Sequence, residues 1–356
     1  MDTSTRLFRI LLFGDTHIGL DFPLNPRIER RRRGDDFLCN FRLALQPALE
    51  GQVDAVIHGG DLFDRSRIPD ALVEIAFAPL VEAAQAGVPI LLVPGDHERG
   101  KIPMQVWRSH ANLHVFDQPG CITLQKNGLR VCIGGFPYTR KIQGEFSAQI
   151  QRTGLMETPA DIRVLCMHQS VEGAQVGPVN FTFRYGPDII RGADLPRGVA
   201  AFLSGHIHRC QVLKTDLCSR PLAAPVVYAG SVERTAFAEQ HERKGYLLLD
   251  FAPTENGGRL VKTRFIPLPA RPMTALNVET DGVPPDVLRS RLQASLAALD
   301  PDSVVQIRLQ DPVSEEAWQV FGAASLRALA PASMNVEVAY RKSDRNGEDQ
   351  PENLAG

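Results

Sequence analysis

The residues best suited to chemistry in this chain are aspartates and histidines that close short apolar runs. They occur as Gly14-Asp15-Thr16-His17, Gly59-Gly60-Asp61-Leu62-Phe63-Asp64, Pro94-Gly95-Asp96-His97-Glu98, Met167-His168 and Ser204-Gly205-His206-Ile207-His208. Five of the nine histidines fall in these groups, and six if His58, inside its own apolar run, is counted. A carboxylate can bridge two metal ions while imidazoles complete each shell, and mixed oxygen and nitrogen donors suit Mn²⁺, Fe²⁺ or Zn²⁺ better than Ca²⁺. Two such ions about 3.5–4 Å apart can clamp a phosphate, activate a water between them and stabilise an in-line displacement. One D-x-H or H-x-H alone reads as a packed core or surface histidine. Five groups in order, each closing an apolar run, read as a dinuclear metal site.

The elements that must position these groups follow from apolar periodicity. Residues 7–13, 53–58, 88–93 and 162–167 read as buried strands, and 35–49 and 69–86 as amphipathic helices, with Pro69 in the first turn. This βαβ alternation predicts an α/β fold with a largely parallel sheet, whose sites form at the C-terminal ends of its strands. Residues 122–124, 131–134, 200–203, 226–229, 246–251 and 260–266, separated by turns such as Asn127-Gly128 and Asn256-Gly257-Gly258, read as a second and more antiparallel set. Pro267, Pro269 and Pro272 interrupt both helix and strand and mark a boundary. The expected organisation is a domain over 1–268, a small βαβαβ cap over 272–341, and a flexible polar tail over 342–356. Within the cap, 273–278, 303–309 and 335–340 read as strands and 284–299 and 314–329 as helices.

At 356 residues, 44% hydrophobic and 22% charged, the chain can bury one large core and a smaller one, which excludes a disordered or low-complexity protein. No run reaches the roughly 18 uncharged apolar residues of a membrane span, and residues 1–9 lack the apolar core of a signal peptide. No membrane association and a cytoplasmic location are therefore expected. The six cysteines show no CxxC pairing and read as structural thiols. The net charge of -2 is uneven: from 271 onward 8 Lys/Arg stand against 13 Asp/Glu, and before it 31 stand against 28. A polyanion is thus attracted to the first part, where Arg27, Arg30, Arg31, Arg32 and Arg33 cluster ahead of Asp35 and Asp36.

The five aspartate and histidine groups resemble the order D-x-H, GDxxD, GNH[DE], H, GHxH of the calcineurin-like metallophosphoesterases, with one departure at Asp96, and the resemblance covers residues 7–208. Downstream, Gly230-Ser231-Val232-Glu233-Arg234 with Phe237, Glu239, Lys244 and Gly245 is similar to a segment of the SbcD-type nucleases of DNA double-strand-break repair. The resemblance implies a two-sheet αββα sandwich with a small α+β cap. It implies that Asp15, His17, Asp61 and His208 hold one divalent ion and Asp61, Asp96, His168 and His206 a second, most readily Mn²⁺, with Fe²⁺, Zn²⁺ or Mg²⁺ as alternatives. By the same resemblance His97 is not a ligand; it stabilises charge at the scissile phosphate or protonates the leaving oxygen. Asp64 is expected to orient His17 or His97. Where Asp96 stands the family carries Asn, so this site holds one more negative charge, which strengthens metal binding and weakens attraction for a phosphodiester.

The expected function is metal-dependent cleavage of DNA phosphodiester bonds, exonucleolytic and also endonucleolytic, with Arg27, Arg30, Arg31 and Arg33 on the phosphate backbone. Two alternatives remain: a phosphatase or phosphodiesterase of the same superfamily with a non-DNA substrate, and a DNA-end-binding subunit with weak catalysis. The expected partners are DNA and a second copy of the chain, paired through 69–86 and 102–107. An SbcC-type ATPase is the family's other partner, but only about fifteen residues follow the last cap strand, which argues against helices that would dock it.

Overall fold

β1 (Phe8–Phe13) sends Ile10 and Leu12 into one buried core and Leu11 and Phe13 into another, the two-residue alternation of a strand covered on both faces. Beside it, β2 (Ala55–His58), β3 (Ile90–Leu92) and β4 (Leu113–Val115) run parallel. A second set opens with β5 (Gly120–Lys126), β6 (Leu129–Gly135) and β7 (Ile162–Met167). Four two-residue strands follow: β8 (Ser170–Val171), β9 (Gln175–Val176), β10 (Phe181–Thr182) and β11 (Ile189–Ile190). With β12 (Ala201–Ser204), β13 (Gln211–Thr215) and β14 (Pro221–Tyr228) the second sheet has the order β13-β14-β12-β7-β6-β5. β15 (Gly245–Ala252) and β16 (Arg259–Pro267) return to the first sheet, ordered β16-β15-β1-β2-β3-β4.

This computed structural model describes residues 6–98, 110–310 and 313–340. The chain forms two units, residues 1–24 with 36–269 and residues 25–35 with 270–356. In the larger unit, Ile57, Leu91 and Leu249 of the first sheet pack on Ile133, Val164 and Leu203 of the second. Helices α1 (Arg33–Leu49) and α2 (Asp70–Gln85) cover the outer face of the first sheet with Phe41, Leu45, Phe77 and Leu80. Helix Ile142–Thr153 covers the second with Phe146 and Ile150. The result is the αββα sandwich expected from the sequence.

Strand pairing departs from the local reading in three places. Residues 162–167, read with the parallel set, lie in the second sheet, while 246–251 and 260–266, read with the later set, join the first. The second sheet is less antiparallel than expected, because β14, β12, β7 and β6 are mutually parallel and only the edge pairs β13-β14 and β5-β6 are antiparallel. β15 pairs antiparallel with β1, Leu12 lying opposite Leu247, and no local pattern encodes a partner that far along the chain.

The apolar face of α2 (Leu72, Ala76, Phe77, Leu80 and Ala83) is buried in the core of its own unit. It is therefore not the dimer face that periodicity suggested, and residues 102–107 lie outside the described residues, as does the tail 342–356. Pro69 is the N-cap of α2 and not part of its first turn.

The smaller unit is a parallel three-stranded sheet of β17 (Met273–Glu279), β18 (Val304–Gln310) and β19 (Asn335–Tyr340), crossed over by helices. The first crossover helix is Pro285–Ala297. The single helix expected over 314–329 is two, Glu315–Val320 and Ala323–Leu329, and Gly322 caps the second. Residues 25–35, placed in the first domain by sequence, belong to this smaller unit. No helix among the described residues is long and apolar enough to cross a membrane.

Candidate metal centre

Five strands end at one place. β1 delivers Asp15 and His17, β2 delivers Asp61 and Asp64, and β3 delivers Asp96, His97 and Glu98, all from the first sheet. β7 delivers His168 and β12 delivers His206 and His208 from the second. The two sheet edges meet through glycine: a Cβ on Gly59 would stand 3.0 Å from the Gly205 amide nitrogen. Asp15, His17, Asp61 and His206 hold left-handed backbone at φ 47°, 43°, 50° and 78°. Such positions cost on the order of 1 kcal/mol or more each and persist where neighbours over-determine them. Here Asp15 and His17 donate their amides to the carbonyls of Gly60 and Asp61, at 2.8 and 3.0 Å. The His206 amide donates to Asp15 Oδ1 at 3.0 Å.

Glu98 is the main brace, and its role carries no signal in the sequence beyond its place in the motif. It is buried, and its carboxylate accepts the amides of Asp61 (3.2 Å), Phe63 (3.0 Å) and Gly95 (2.6 Å). Burial and the neighbouring Asp61 charge push its pKa up to about 7, against the pull of those amides.

Four overlapping groups of donors result among the described residues. Asp15, His17 and His208 lie together, as do Asp96, His168 and His206, with donor atoms within 4.8 Å of one another in each group. His17 Nε2 is 3.1 Å from His208 Nε2. Asp96 Oδ1 is 3.2 Å from both His168 Nε2 and His206 Nδ1. Asp61 stands between them, its Oδ2 lying 3.4 Å from His168 Nε2 and 4.0 Å from His17 Nε2.

The imidazoles are oriented from behind. His168 Nδ1 donates to the Gly59 carbonyl at 2.7 Å, which turns its Nε2 lone pair to the carboxylates. His208 Nδ1 is 2.9 Å from Glu239 Oε1 and 3.1 Å from Thr235 Oγ1. Glu239 is in turn paired at 2.8 Å with the buried Lys244 ammonium, which also donates to the His208 carbonyl. The Gly230–Lys244 stretch, read from sequence as a family likeness without individual roles, thus contains the support of His208. Tyr138, which carried no signal in the sequence, sets its ring 5.7 Å from that of His206.

The charges suit cations. Burial alone would raise Asp61 and Asp96, but His168, joined at Asp96 by His206, holds both well below the usual carboxylate range. Burial, and then the proximity of His208, push His17 down to about 3, so it is a neutral donor. Asp15 Oδ2 and His17 Nδ1 are buried without a hydrogen-bond partner. The donor set of aspartates and histidines, with an orphaned buried carboxylate oxygen, fits two divalent ions of the mixed oxygen and nitrogen class. Asp15, His17, Asp61 and His208 would hold one, and Asp61, Asp96, His168 and His206 the other. Bound there, the ions would supply Lewis acidity and an activated water.

The other expected residues fall as follows. The His97 side chain is 38% exposed, with Nε2 4.0 Å from Asp61 Oδ2 and Nδ1 2.6 Å from the Asp64 carbonyl. Burial would lower its pKa, but Asp61 and the Asp64 carbonyl outweigh that and raise it. His97 also forms a donor group with His17 and Asp61. The Asp64 carboxylate is 3.8 Å from His17 Nδ1, and its contact with His97 runs through the backbone. His58 is a core histidine, hydrogen-bonded at Nε2 to Thr16 and at Nδ1 to the Gly60 amide. Arg30 donates to the carbonyls of Arg327, Ala330, Pro331 and Met334, and Arg31 pairs with Asp302 at 3.1 Å. Arg27 is exposed and Arg33 half-buried at the start of α1.

A parallel-centred αββα sandwich that gathers aspartates and histidines at the C-terminal ends of both sheets defines a phosphoester-handling metalloprotein scaffold. The sequence profile of the calcineurin-like phosphoesterase family matches residues 8–210, and the chain belongs to that family. It is 26% identical over 276 residues to the DNA double-strand break repair protein Mre11 of Methanopyrus kandleri, covering 72% of this chain and 56% of that protein. It is 25% identical over 297 residues to the protein of the same name from Saccharolobus solfataricus, covering 80% and 70%. The chain thus spans little more than half the length of the first of these relatives. A purple acid phosphatase of yellow lupin superposes with a TM-score of 0.46 at 13% identity, over 75% of this chain and 55% of that one.

Proposed function

We propose that this chain is a dinuclear-metal phosphodiesterase that cuts DNA, acting as an exonuclease and also endonucleolytically, in the processing of DNA ends. The observation that carries the reading is the convergence of Asp15, His17, Asp61, Asp96, His168, His206 and His208 on one point, with the half-exposed His97 at its open side. Relatives named for DNA double-strand break repair, and the likeness of the Gly230–Lys244 stretch to the SbcD-type nucleases, favour DNA over other phosphoesters. Mn²⁺ matches the donor set, and contact of Arg27, Arg31 and Arg33 with the DNA backbone belongs to the same proposal.

The protein's own work is limited and definable. The four histidines and three aspartates of that set hold charge and geometry, and His97 Nε2 stands where it can stabilise charge on a phosphoryl oxygen or protonate a leaving oxygen. The test is hydrolysis of end-labelled single- and double-stranded DNA with Mn²⁺, Mg²⁺ or EDTA, beside p-nitrophenyl phosphate. Asp61→Ala and His208→Ala should abolish metal-dependent cutting. His97→Ala should retain metal while turnover falls about 10²-fold or more. Metal content that drops with activity in His97→Ala would make His97 a ligand, and turnover of the phosphate monoester without DNA cutting would replace the nuclease reading by a phosphatase.

A further inference from the structure

Next to His208 lie two adjoining cavities, the larger of which contains none of the ligands. A small compartment of about 190 Å³ is lined by Gly177, His206, His208, Arg209, Glu239 and Glu242. Arg209 and Glu242 are also walls of a larger cavity of about 560 Å³, completed by Pro178, Cys210, Ala238, His241, Arg243 and Phe265. The two spaces therefore share a partition, and the larger begins where the metal-facing compartment ends.

The partition is tied together by hydrogen bonds and ion pairs. Arg209 is held by Glu242 at 2.9 Å, Asn180 Oδ1 at 2.7 Å and the Gly177 carbonyl at 2.6 Å. Glu242 also takes the Lys244 ammonium at 3.0 Å. The Arg209 charge is balanced within the wall, which leaves the exposed Arg243 as the cation lining the larger cavity. Its surface is apolar at Pro178, Cys210, Ala238 and Phe265. The Arg243 guanidinium lies over the Phe265 ring, 5.7 Å from its centre, a cation–π pair. His241, exposed at the rim, can hydrogen-bond the edge of a flat ring. The volume lies within the about 300–1,000 Å³ of small-molecule pockets.

We propose that this cavity is a nucleobase subsite: it receives the base of the nucleotide whose phosphate sits at the metal centre. The proposal rests on the phosphodiesterase reading above and adds what lies beside the phosphate. A substrate whose charge is held at His206 and His208 can place only a covalently attached neighbour across the partition. In a nucleic acid strand that neighbour is a sugar with a flat, uncharged, polar-edged ring. Aromatic and guanidinium faces bind any base by stacking, so the subsite confers preference for nucleotides over simple diesters without reading sequence.

The test compares two substrates with one leaving group: methyl p-nitrophenyl phosphate, and the p-nitrophenyl ester of thymidine monophosphate. Phe265→Ala removes the platform, and Ala238→Phe, at an exposed position, fills the cavity without disturbing the core. Both variants should raise KM for the thymidine ester about tenfold, the loss of one stacked base. Turnover of the methyl ester and metal content should stay at the wild-type value. A second measurement needs no turnover: 2-aminopurine nucleoside monophosphate loses emission on stacking, and the wild-type protein with Mn²⁺ should quench it while both variants should not. Equal losses on both esters, no loss on either, or an unquenched wild type overturns the subsite. Failure of the DNA reading looks different, because the thymidine ester would then be cut in a cavity-dependent way while no DNA strand is cut.

Discussion

His168 and His208 present the same ring nitrogen to the cluster but are steered by unlike partners. The Gly59 carbonyl that fixes His168 is backbone and cannot be substituted, whereas the Glu239 carboxylate that fixes His208 can. A carboxylate behind a ligand imidazole also raises its basicity, and losing one typically costs about 10- to 100-fold in metal affinity. Glu239→Gln keeps the shape and removes the charge, so metal affinity read by competition with a fluorescent chelator should fall by about that factor. Unchanged affinity would mean that Thr235 alone holds the ring. Asp96 is the second informative residue, since the motif this segment resembles has Asn there and Asp96 Oδ1 lies 3.2 Å from a ring nitrogen of both His168 and His206. An extra carboxylate lowers the Lewis acidity of the nearer ion and repels an incoming phosphate. Under saturating metal, Asp96→Asn should therefore turn over diesters faster while binding metal less tightly. A slower variant under those conditions would show that the surroundings have adapted to the carboxylate.

Among the elements, β1 and β7 were legible because alternation and a closing motif coincide in them, and the ligand positions were legible because each is a polar residue ending an apolar run. What stayed hidden was relational. β15 and β16 look like any antiparallel pair until β1 is brought beside them. Glu98 reads as one more acid in a metal motif, although its carboxylate grips three backbone amides. Tyr138 lies in no motif at all. The 25–35 segment shows the same limit. Its arginines read as a phosphate-binding face, yet Arg30 gathers four backbone carbonyls of the smaller unit. Charge runs encode attraction, not the partner that claims it. Arg30→Ala should therefore destabilise the smaller unit by about 2 kcal/mol, as expected for hydrogen bonds from a charged donor. Hydrogen exchange across 327–336 would report that loss. Arg27→Ala should leave stability alone and flatten the salt dependence of DNA binding by about one ion. If Arg30→Ala flattens the slope and leaves exchange unchanged, its assignment as a structural residue is wrong.

For the whole molecule, the ligands divide between sheets: Asp15, His17, Asp61 and Asp96 come from the first, and His168, His206 and His208 from the second. Away from this edge the sheets are joined by apolar packing such as Ile57 and Leu91 against Val164 and Leu203. At the edge, clustered carboxylates, close-packed glycines and four left-handed residues replace that packing. Divalent ions bound there would act as staples between the sheets as well as reagents. A ligand that binds only the folded state stabilises it by about 2.7 kcal/mol at a hundredfold excess over its dissociation constant. Removing the ions with EDTA should lower the melting temperature of the larger unit and increase hydrogen exchange at 59–64, 94–98 and 204–208, where the strand ends meet. The β17–β19 sheet draws its stability from Leu288, Leu292, Val305 and Ile307 and holds none of these ligands. Its exchange should not respond to EDTA, and Mn²⁺ added back should restore protection at the edge alone. Exchange that rises evenly over both units, or an unchanged melting temperature on chelation, would show that the two sheets hold together at this edge without the ions.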